Sequence, residues 1–395
     1  MKVSEKKQVV VEIRGIGTGN IGSVMMLLTL LEQIQSPKIK FTVCPQEASC
    51  EYTFYSKLGL FPKFSFAYKK VQLSELGKFL PRKWRRLYGL VINEEVDVIV
   101  DTSGFAYSSL WGENPARILS QDSRRYKKLG KSLILLPQAF GPFQSPKIKN
   151  YMREIIENAT LIYARDIYSY TSLKEIKDAP NIKICPDFTI LMKGVLPPYF
   201  NREKHQICVV PNQRMKDKTD RPGRYIELMR QIITQIQSER MTPFFLIFGG
   251  DEDVQVAREI NALLNNPLEI INETNPQLAK GIIENSRALI GSRYHSLVCA
   301  LQAGVPVIGT GWSHKYYFLF QEFKATDRLI DINLSGQEIR ENVSRLLKEA
   351  ESLSVNPEVS RERERVEAEV KKMFREVLEI ILSHYPHECS SSCRW

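Results

Sequence analysis

The sequence contains no apolar run long enough to cross a bilayer. Its longest, Ile21 to Leu31, falls short of the roughly 20 residues that a membrane helix needs. No secretory segment is visible either. Met1 to Lys7 is polar and leads into Val9-Val10-Val11 without a small-residue cleavage site. Any membrane association is therefore expected to be peripheral, on a cytoplasmic protein at the inner membrane face. Cysteine offers no disulfide framework. The seven residues (Cys44, Cys50, Cys185, Cys208, Cys299, Cys389 and Cys393) are odd in number and stand mostly inside apolar runs, as reduced core cysteines of the cytosol do. There is no short internal repeat, no low-complexity tract and no long run of one charge sign. Histidine is scarce, at five, so each one is informative.

What is present reads as a folded chain, with 43% hydrophobic and 25% charged residues. Its 395 residues suit two domains. The net charge of +10 favours acidic partners, among them phosphorylated substrates, anionic membranes and nucleic acid. The densest basic cluster is Lys78, Arg82, Lys83, Arg85 and Arg86, with Trp84 among them. Such a cluster is either a solvated helix face or a contact for anionic lipid headgroups.

Short apolar strands alternate with amphipathic helices. Val9–Arg14, Phe41–Val43, Val96–Asp101, Leu133–Leu136 (ending at Pro137) and Thr160–Tyr163 read as strands. Ile21–Gln35, Ile148–Glu157 and Ile167–Ile176 read as helices. A break follows at Pro186-Asp187, and Gly194 to Lys204 reads as a linker. A second series then begins, with strands Ile207–Val210, Phe244–Phe248, Ala288–Gly291 and Val305–Ile308. Its helices are Arg224–Gln237, Asp253–Leu264, Gln277–Glu284 and Tyr294–Gln302. The fold class expected is α/β, two doubly wound Rossmann-like domains facing a cleft. Residues 1–195 are expected to form the first domain and 205–345 the second, with 346–395 as C-terminal helices and tail. Arg361–Lys372 is expected to be a charge-laced surface helix.

The segment Ser292-Arg293-Tyr294-His295-Ser296 stands between a strand and a helix that Gly304 stops. Backbone N–H groups and the dipole at such a helix start favour a phosphate or carboxylate. Arg293 adds a planar fork of donors, and His295 can exchange a proton near neutral pH. The structural alternative is a capping turn with a hydrogen-bonded histidine. Ala164-Arg165-Asp166 repeats the arrangement: Asp166 can cap the next helix, leaving Arg165 as a second anion clamp or as half of a surface ion pair. Gly17, Gly19 and Gly22 match the GxGxxG spacing of dinucleotide sites. The acidic residue that should close the next strand is missing, since Phe41-Thr42-Val43-Cys44-Pro45 stands there. The loop reads better as a tight turn bringing Gly17, Gly19 and Asn20 to a sugar or diphosphate acceptor. Asp101, Gly104 and Gln138 end strands of the same sheet. Gly249, in Phe248-Gly249-Gly250-Asp251-Glu252, opens another helix whose acids explain themselves as capping. Lys315 follows a strand and can add a cation near His295, or be an exposed helix-start lysine. In the tail, His384, His387, Cys389 and Cys393 can ligate zinc, but they lie in a Ser-rich end, and no metal site is expected.

Taken in order, these segments resemble the polysaccharide pyruvyl transferase family. The matching pieces are Gly17-Thr18-Gly19-Asn20-Ile21-Gly22, Asp101-Thr102-Ser103-Gly104, Gln138-Ala139-Phe140-Gly141-Pro142, Ala164-Arg165-Asp166, Pro186-Asp187, and Ser292–His295 through Gly304-Val305-Pro306. The resemblance implies a GT-B-like fold and transfer of a pyruvyl group from phosphoenolpyruvate to sugar hydroxyls as a ketal. It implies that Arg165, Arg293 and His295 hold phosphoenolpyruvate, with Tyr294, Ser296, Lys315 and Gly249 on the donor side. The acceptor side would be Gly17, Gly19, Asn20, Asp101, Gly104 and Gln138. Where the family often shows a Tyr-containing segment before the lysine, this chain has Trp312-Ser313-His314. The partners expected are phosphoenolpyruvate as co-substrate and a cell-envelope saccharide or its lipid-linked precursor. No nucleic acid and no cofactor are expected. The competing readings are a GT-B glycosyltransferase using a nucleotide sugar and a non-catalytic sugar-binding protein. Asp101 and Asp187 are both open as acceptor-side bases.

Overall fold

The computed structural model describes residues 8–17, 19–45, 52–65, 67–68, 71–72, 74–219, 221–352 and 357–385. They form two compact units, one drawn from residues 1–18, 30–185 and 371–395, the other from 19–29 and 186–370.

In chain order the first series of elements is β1 (Val9–Arg14), α1 (Ile21–Gln33), β2 (Ile39–Val43), α2 (Tyr52–Lys57), β3 (Phe61–Pro62), the hairpin β4 (Ala67–Tyr68) and β5 (Val71–Gln72), and α3 (Arg82–Leu87). It continues through β6 (Val98–Asp101), α4 (Asn114–Lys128), β7 (Ser132–Gln138), α5 (Pro146–Asn158), β8 (Leu161–Ala164), α6 (Ile167–Ile176) and β9 (Ile182–Ile184). Seven strands pair in the order β3-β2-β1-β6-β7-β8-β9, all parallel. The central strands are continuous apolar runs because helices cover both faces of a parallel sheet. Ser145 caps α5 by accepting from Lys147 N at 3.2 Å, and Pro146 supplies a first residue with no N–H to satisfy. Ile148, Met152, Ile155 and Ile156 then recur at helical spacing and are buried against the sheet. Glu12, the one acid in β1, is buried and paired with Lys63.

The sequence stops the strand at Pro137, whereas β7 runs through it. The ladder to β8 shifts register between Leu135 and Gln138, an irregularity that accommodates a residue unable to donate.

The second series is β10 (Ile207–Val210), α7 (Arg214–Asp217), α8 (Pro222–Ser238), β11 (Pro243–Leu246), α9 (Asp251–Asn261), β12 (Ile270–Ile271), α10 (Pro276–Glu284), β13 (Ala288–Gly291), α11 (Tyr294–Ala303), β14 (Val307–Gly309), α12 (His314–Glu322), α13 (Gly336–Ser352) and α14 (Pro357–Ser383). Its five strands are parallel in the order β12-β11-β10-β13-β14. Ile207, Val209, Phe245, Ile290 and Ile308 form a core with Leu228, Met229 and Ile232 of α8 and Val343, Leu346 and Leu347 of α13. Each sheet thus winds outward from its first strand in both directions. Its switch point lies between β1 and β6 in one unit and between β10 and β13 in the other, where α/β sheets place their ligands.

Arg361–Lys372 is not a surface helix in its own right. It lies within α14, which buries Val366, Val370, Met373, Phe374, Val377 and Ile381. Those residues form one helical stripe, hidden in the sequence among charges that pair on the opposite face, such as Arg365 with Glu362 at 2.7 Å. Among the described residues, no helix is long and apolar enough to cross a membrane. Cys44, Cys185, Cys208 and Cys299 are buried free thiols.

Candidate functional site

At the switch point of the second sheet, β10 runs into Asn212 and β13 into Ser292. Asn212 Nδ2 donates to the Ser292 carbonyl at 2.6 Å, and the Tyr316 hydroxyl of α12 donates to the same oxygen at 3.1 Å. The Ser292 Oγ accepts from the Tyr225 hydroxyl at 3.0 Å and lies 2.7 Å from Thr310 Oγ1. Burial raises the Tyr225 phenol above its usual range, so it stays a neutral donor. All five side chains are buried, and their network fixes the turn from which α11 starts.

Arg293 is the N-cap of α11. Its Nε and Nη2 donate to the two carboxylate oxygens of Asp253, at 2.6 and 2.5 Å. Asp253 is fully buried and also accepts from Gln213 N at 2.9 Å. Burial by itself would lower the Arg293 guanidinium, but the hydrogen bonds and charge of Asp253 outweigh it and raise it. One edge of the fork is therefore used inside the protein, and Arg293 is a fixed positive charge beside the helix mouth. Gly249 makes room for this pair, since a Cβ there would lie 2.0 Å from Arg293 Nη2 and 2.3 Å from Asp253 Oδ2.

His295 follows in the first turn of α11. Its Nε2 lies 3.6 Å from Asp187 Oδ2. Asp187 is itself buried, and its other oxygen accepts from Thr189 N at 2.9 Å and Thr189 Oγ1 at 2.6 Å. The other side of the imidazole meets α1. A Cβ on Gly22 would stand 2.1 Å from His295 Nδ1. Asn20 caps α1 by accepting from Gly22 N at 3.0 Å. Tyr294 is buried and meets the His295 ring edge-on at 5.4 Å. Ser296 is buried, and its hydroxyl donates back to the Arg293 carbonyl at 2.7 Å, so it is engaged within the turn.

Lys315 is not an exposed helix-start lysine. Its ammonium lies 5.3 Å from the Tyr294 ring, 5.2 Å from Trp312 and 5.5 Å from Tyr316. Three aromatic faces hold a cation by its charge and restrict its flexible stem. A cavity of ≈ 630 Å³ opens beside Trp312, with Lys218, Thr219, Arg221 and Asp331 in its lining.

The helix starts differ in charge. The first turn of α9 holds Asp251, Glu252 and Asp253, whereas α1, α11 and α12 have no acid in theirs. An anion is thus favoured at α11, with Arg293 at its cap, and disfavoured at α9.

In the first unit, Asp101, Gln138 and Gly104 come together at the sheet's switch point. Asp101 accepts from Ser103 N at 3.0 Å, Gln138 Nε2 at 3.2 Å and the Tyr107 hydroxyl at 2.8 Å. With both oxygens engaged and 2% exposure, Asp101 braces the loop and is poorly placed to serve as a base. Gly104 accepts from Ala139 N at 2.9 Å. Asp166 caps α6 by accepting from Ser169 N at 2.7 Å. Arg165 is 4% exposed, which excludes the surface ion pair. The glycine loop is built differently from its spacing. A Cβ at Gly17 or Gly19 would meet nothing within 4 Å. The turn depends instead on Gly15, at φ +75°, where a Cβ would lie 2.3 Å from Ser103 Oγ, and on Gly22 against His295.

Sequence reading missed Asp253 as the partner of Arg293, and missed Asn212 and Tyr225 altogether. Asn212 alone left a signal, a polar residue just past a buried strand. Among the described residues no group of three His, Cys, Asp or Glu side chains could hold a metal ion. Of the tail residues, His384 lies 2.9 Å from Ser132 Oγ, while His387, Cys389 and Cys393 fall outside the described residues.

Several solved structures share the fold. UDP-GlcNAc 2-epimerase from Neisseria meningitidis bound to UDP-GlcNAc matches with a TM-score of 0.57 at 10% identity, covering 95% of this chain and 100% of that one. The S. aureus MnaA–UDP co-structure matches at 0.58 and 11% identity, covering 96% and 99%. Anabaena HepE in complex with UDP-glucose matches at 0.56 and 11%, covering 95% and 99%. These likenesses establish a GT-B-like α/β architecture. No curated protein sequence matches the chain significantly. The model of one family, polysaccharide pyruvyl transferase, matches residues 20–314, a span running from the Asn20 cap of α1 through Asp187, Asp253, Arg293 and His295 to His314. Most of the chain lies within that match, and it belongs to the polysaccharide pyruvyl transferase family.

Proposed function

We propose that the chain transfers a pyruvyl group from phosphoenolpyruvate to two hydroxyls of a saccharide, forming a ketal and releasing phosphate. The carrying observation is His295, set in the first turn of α11 between Asp187 and Gly22, next to the fixed cation Arg293. Phosphoenolpyruvate is a small anion with a phosphate and a carboxylate. A helix mouth without acids, Arg293 and the ring-held Lys315 suit both groups. The family resemblance adds Arg165 to the residues that hold phosphoenolpyruvate.

His295 donates its proton to the methylene carbon of the enol, which becomes a methyl group and leaves the adjacent carbon electrophilic. The first sugar hydroxyl adds there, and its proton restores the acid. The second hydroxyl closes the ring as the carbon–oxygen bond to phosphate breaks, and its proton leaves with the phosphate. Asp187 faces the imidazole and orients it. No cofactor enters the reaction. The acceptor is a cell-envelope saccharide or its lipid-linked precursor, bound through Gly17, Gly19, Asn20 and the loops braced by Asp101, Gly104 and Gln138.

Incubation with phosphoenolpyruvate and saccharide acceptors should release inorganic phosphate only when both are present. Release of a nucleoside diphosphate from a nucleotide sugar, with phosphoenolpyruvate untouched, would instead make this a GT-B glycosyltransferase.

Gly22→Ala provides a finer check. Alanine favours a helix by about 1 kcal/mol over glycine, so α1 itself should not suffer. The new Cβ displaces the His295 ring. Turnover should fall about a hundredfold, as for a misplacement of order 1 Å, with little change in thermal midpoint. Normal turnover in this variant would show that the ring's position is not critical.

A further inference from the structure

The segment around α3 is the part of the first unit that its own packing explains least. α3 is a six-residue helix, and none of its residues is buried. A helix that short has little stability of its own. Yet it displays large apolar side chains to solvent: Trp84 is 56% exposed, Leu87 72% and Tyr88 59%. Phe79 (73%) and Leu76 (47%) project from the turn just before it. Trp84 stacks on Tyr88 one turn later, with ring centroids 6.1 Å apart. Scattered apolar residues on a surface need no explanation, but five within thirteen positions do.

The charge of the same segment is one-sided. Between Ser74 and Tyr88 the sequence carries Lys78, Arg82, Lys83, Arg85 and Arg86 against the single acid Glu75. Arg85 is the inward anchor. Its Nε donates to the Leu80 carbonyl at 3.2 Å and its Nη1 pairs with Glu95. Beneath α3 a cavity of ≈ 500 Å³ is lined by Lys40, Arg82, Arg85 and Arg86 and by Glu94, Glu95 and Asp97, which nearly balance. The excess positive charge therefore lies on the outer surface, where Lys78 and Lys83 are exposed beside the rings.

We propose that Leu76, Phe79, Trp84, Leu87 and Tyr88, with Lys78 and Lys83, dock the protein onto an anionic lipid bilayer. Tryptophan and tyrosine suit the headgroup region, where one part of the ring is apolar and another is wet. Phenylalanine and leucine can enter the acyl boundary while lysine and arginine stems reach back to phosphates. The surface is too small to anchor the chain permanently, so binding should be reversible and salt-sensitive. The inference stands on this surface alone and does not depend on the reaction proposed above.

The test is sedimentation with phosphatidylcholine vesicles prepared with and without phosphatidylglycerol. The protein should partition onto the phosphatidylglycerol vesicles and be released by salt. The double substitution Lys78→Ala and Lys83→Ala should lower the partition coefficient about thirtyfold, at about fivefold per cation. Trp84→Ser should also weaken it, while its circular dichroism spectrum matches that of the parent, because α3 buries nothing. Failure of the parent to bind phosphatidylglycerol vesicles would overturn the proposal. So would variants that bind as the parent does, or a dimer in sedimentation velocity that Trp84→Ser dissociates.

Discussion

Replacing His295 by alanine is expected to lower kcat for acceptor-dependent phosphate release about 10²- to 10⁴-fold, the range for losing a positioned general acid. The KM for phosphoenolpyruvate should change far less. The groups assigned to its anionic ends are Arg293, Lys315, Arg165 and the α11 backbone, all of which remain. Asp187→Asn should give a milder loss. The carboxylate lies 3.6 Å from the imidazole and helps to orient the ring. Its removal should lower kcat while the KM for phosphoenolpyruvate changes little. A His295→Ala enzyme within threefold of the parent would remove His295 from the proton transfer and leave the helix mouth as a binding feature only.

Asp253→Ala is expected to destabilise the protein by about 3–5 kcal/mol, the cost of leaving a buried charge without its partner. The carboxylate is fully buried, while the Arg293 side chain retains 14% exposure. The asymmetry gives a second expectation. The double variant Asp253→Ala with Arg293→Ala should be more stable than Asp253→Ala alone, because no isolated guanidinium remains. Chemical denaturation of the three variants forms the cycle. A loss below about 1 kcal/mol in Asp253→Ala would show that water reaches the guanidinium and replaces the carboxylate. Turnover in the double variant would remain low, since the cation beside the helix mouth is gone.

Much of this architecture is legible in the sequence because its signals are local. A strand such as Ile207–Val210 is an apolar, mostly β-branched run ended by Pro211, and Ile167–Ile176 begins at a capping aspartate. The turn holding Arg293 and His295 is likewise a strand end followed by a helix start. The partners of those residues are not legible. Asp251, Glu252 and Asp253 look alike as first-turn acids, and only tertiary packing selects the third to face Arg293 from forty positions away. Asp187 has the same ambiguity, since it caps a 3-10 turn with one oxygen and faces His295 with the other. The glycine loop shows how spacing can mislead. The residues matching the dinucleotide pattern include two with open space where a Cβ would go, while Gly15, outside the pattern, carries the positive φ. Short elements such as β12 escape because two residues carry no period.

The grouping of Gly19–Thr29 with residues 186–370 has a consequence for how this protein can be divided. Its second unit is not a portable cassette. A fragment cut at the Cys185–Pro186 junction would keep β10 to α13 with Arg293 and His295, yet lose the strip of α1 that bears on the His295 ring. Gene fusion or domain exchange at that junction would pair His295 with a foreign helix. The start of α1 and the α11 turn are therefore a single inheritable part, although 273 positions separate Gly22 from His295 at roughly opposite ends of the matched region.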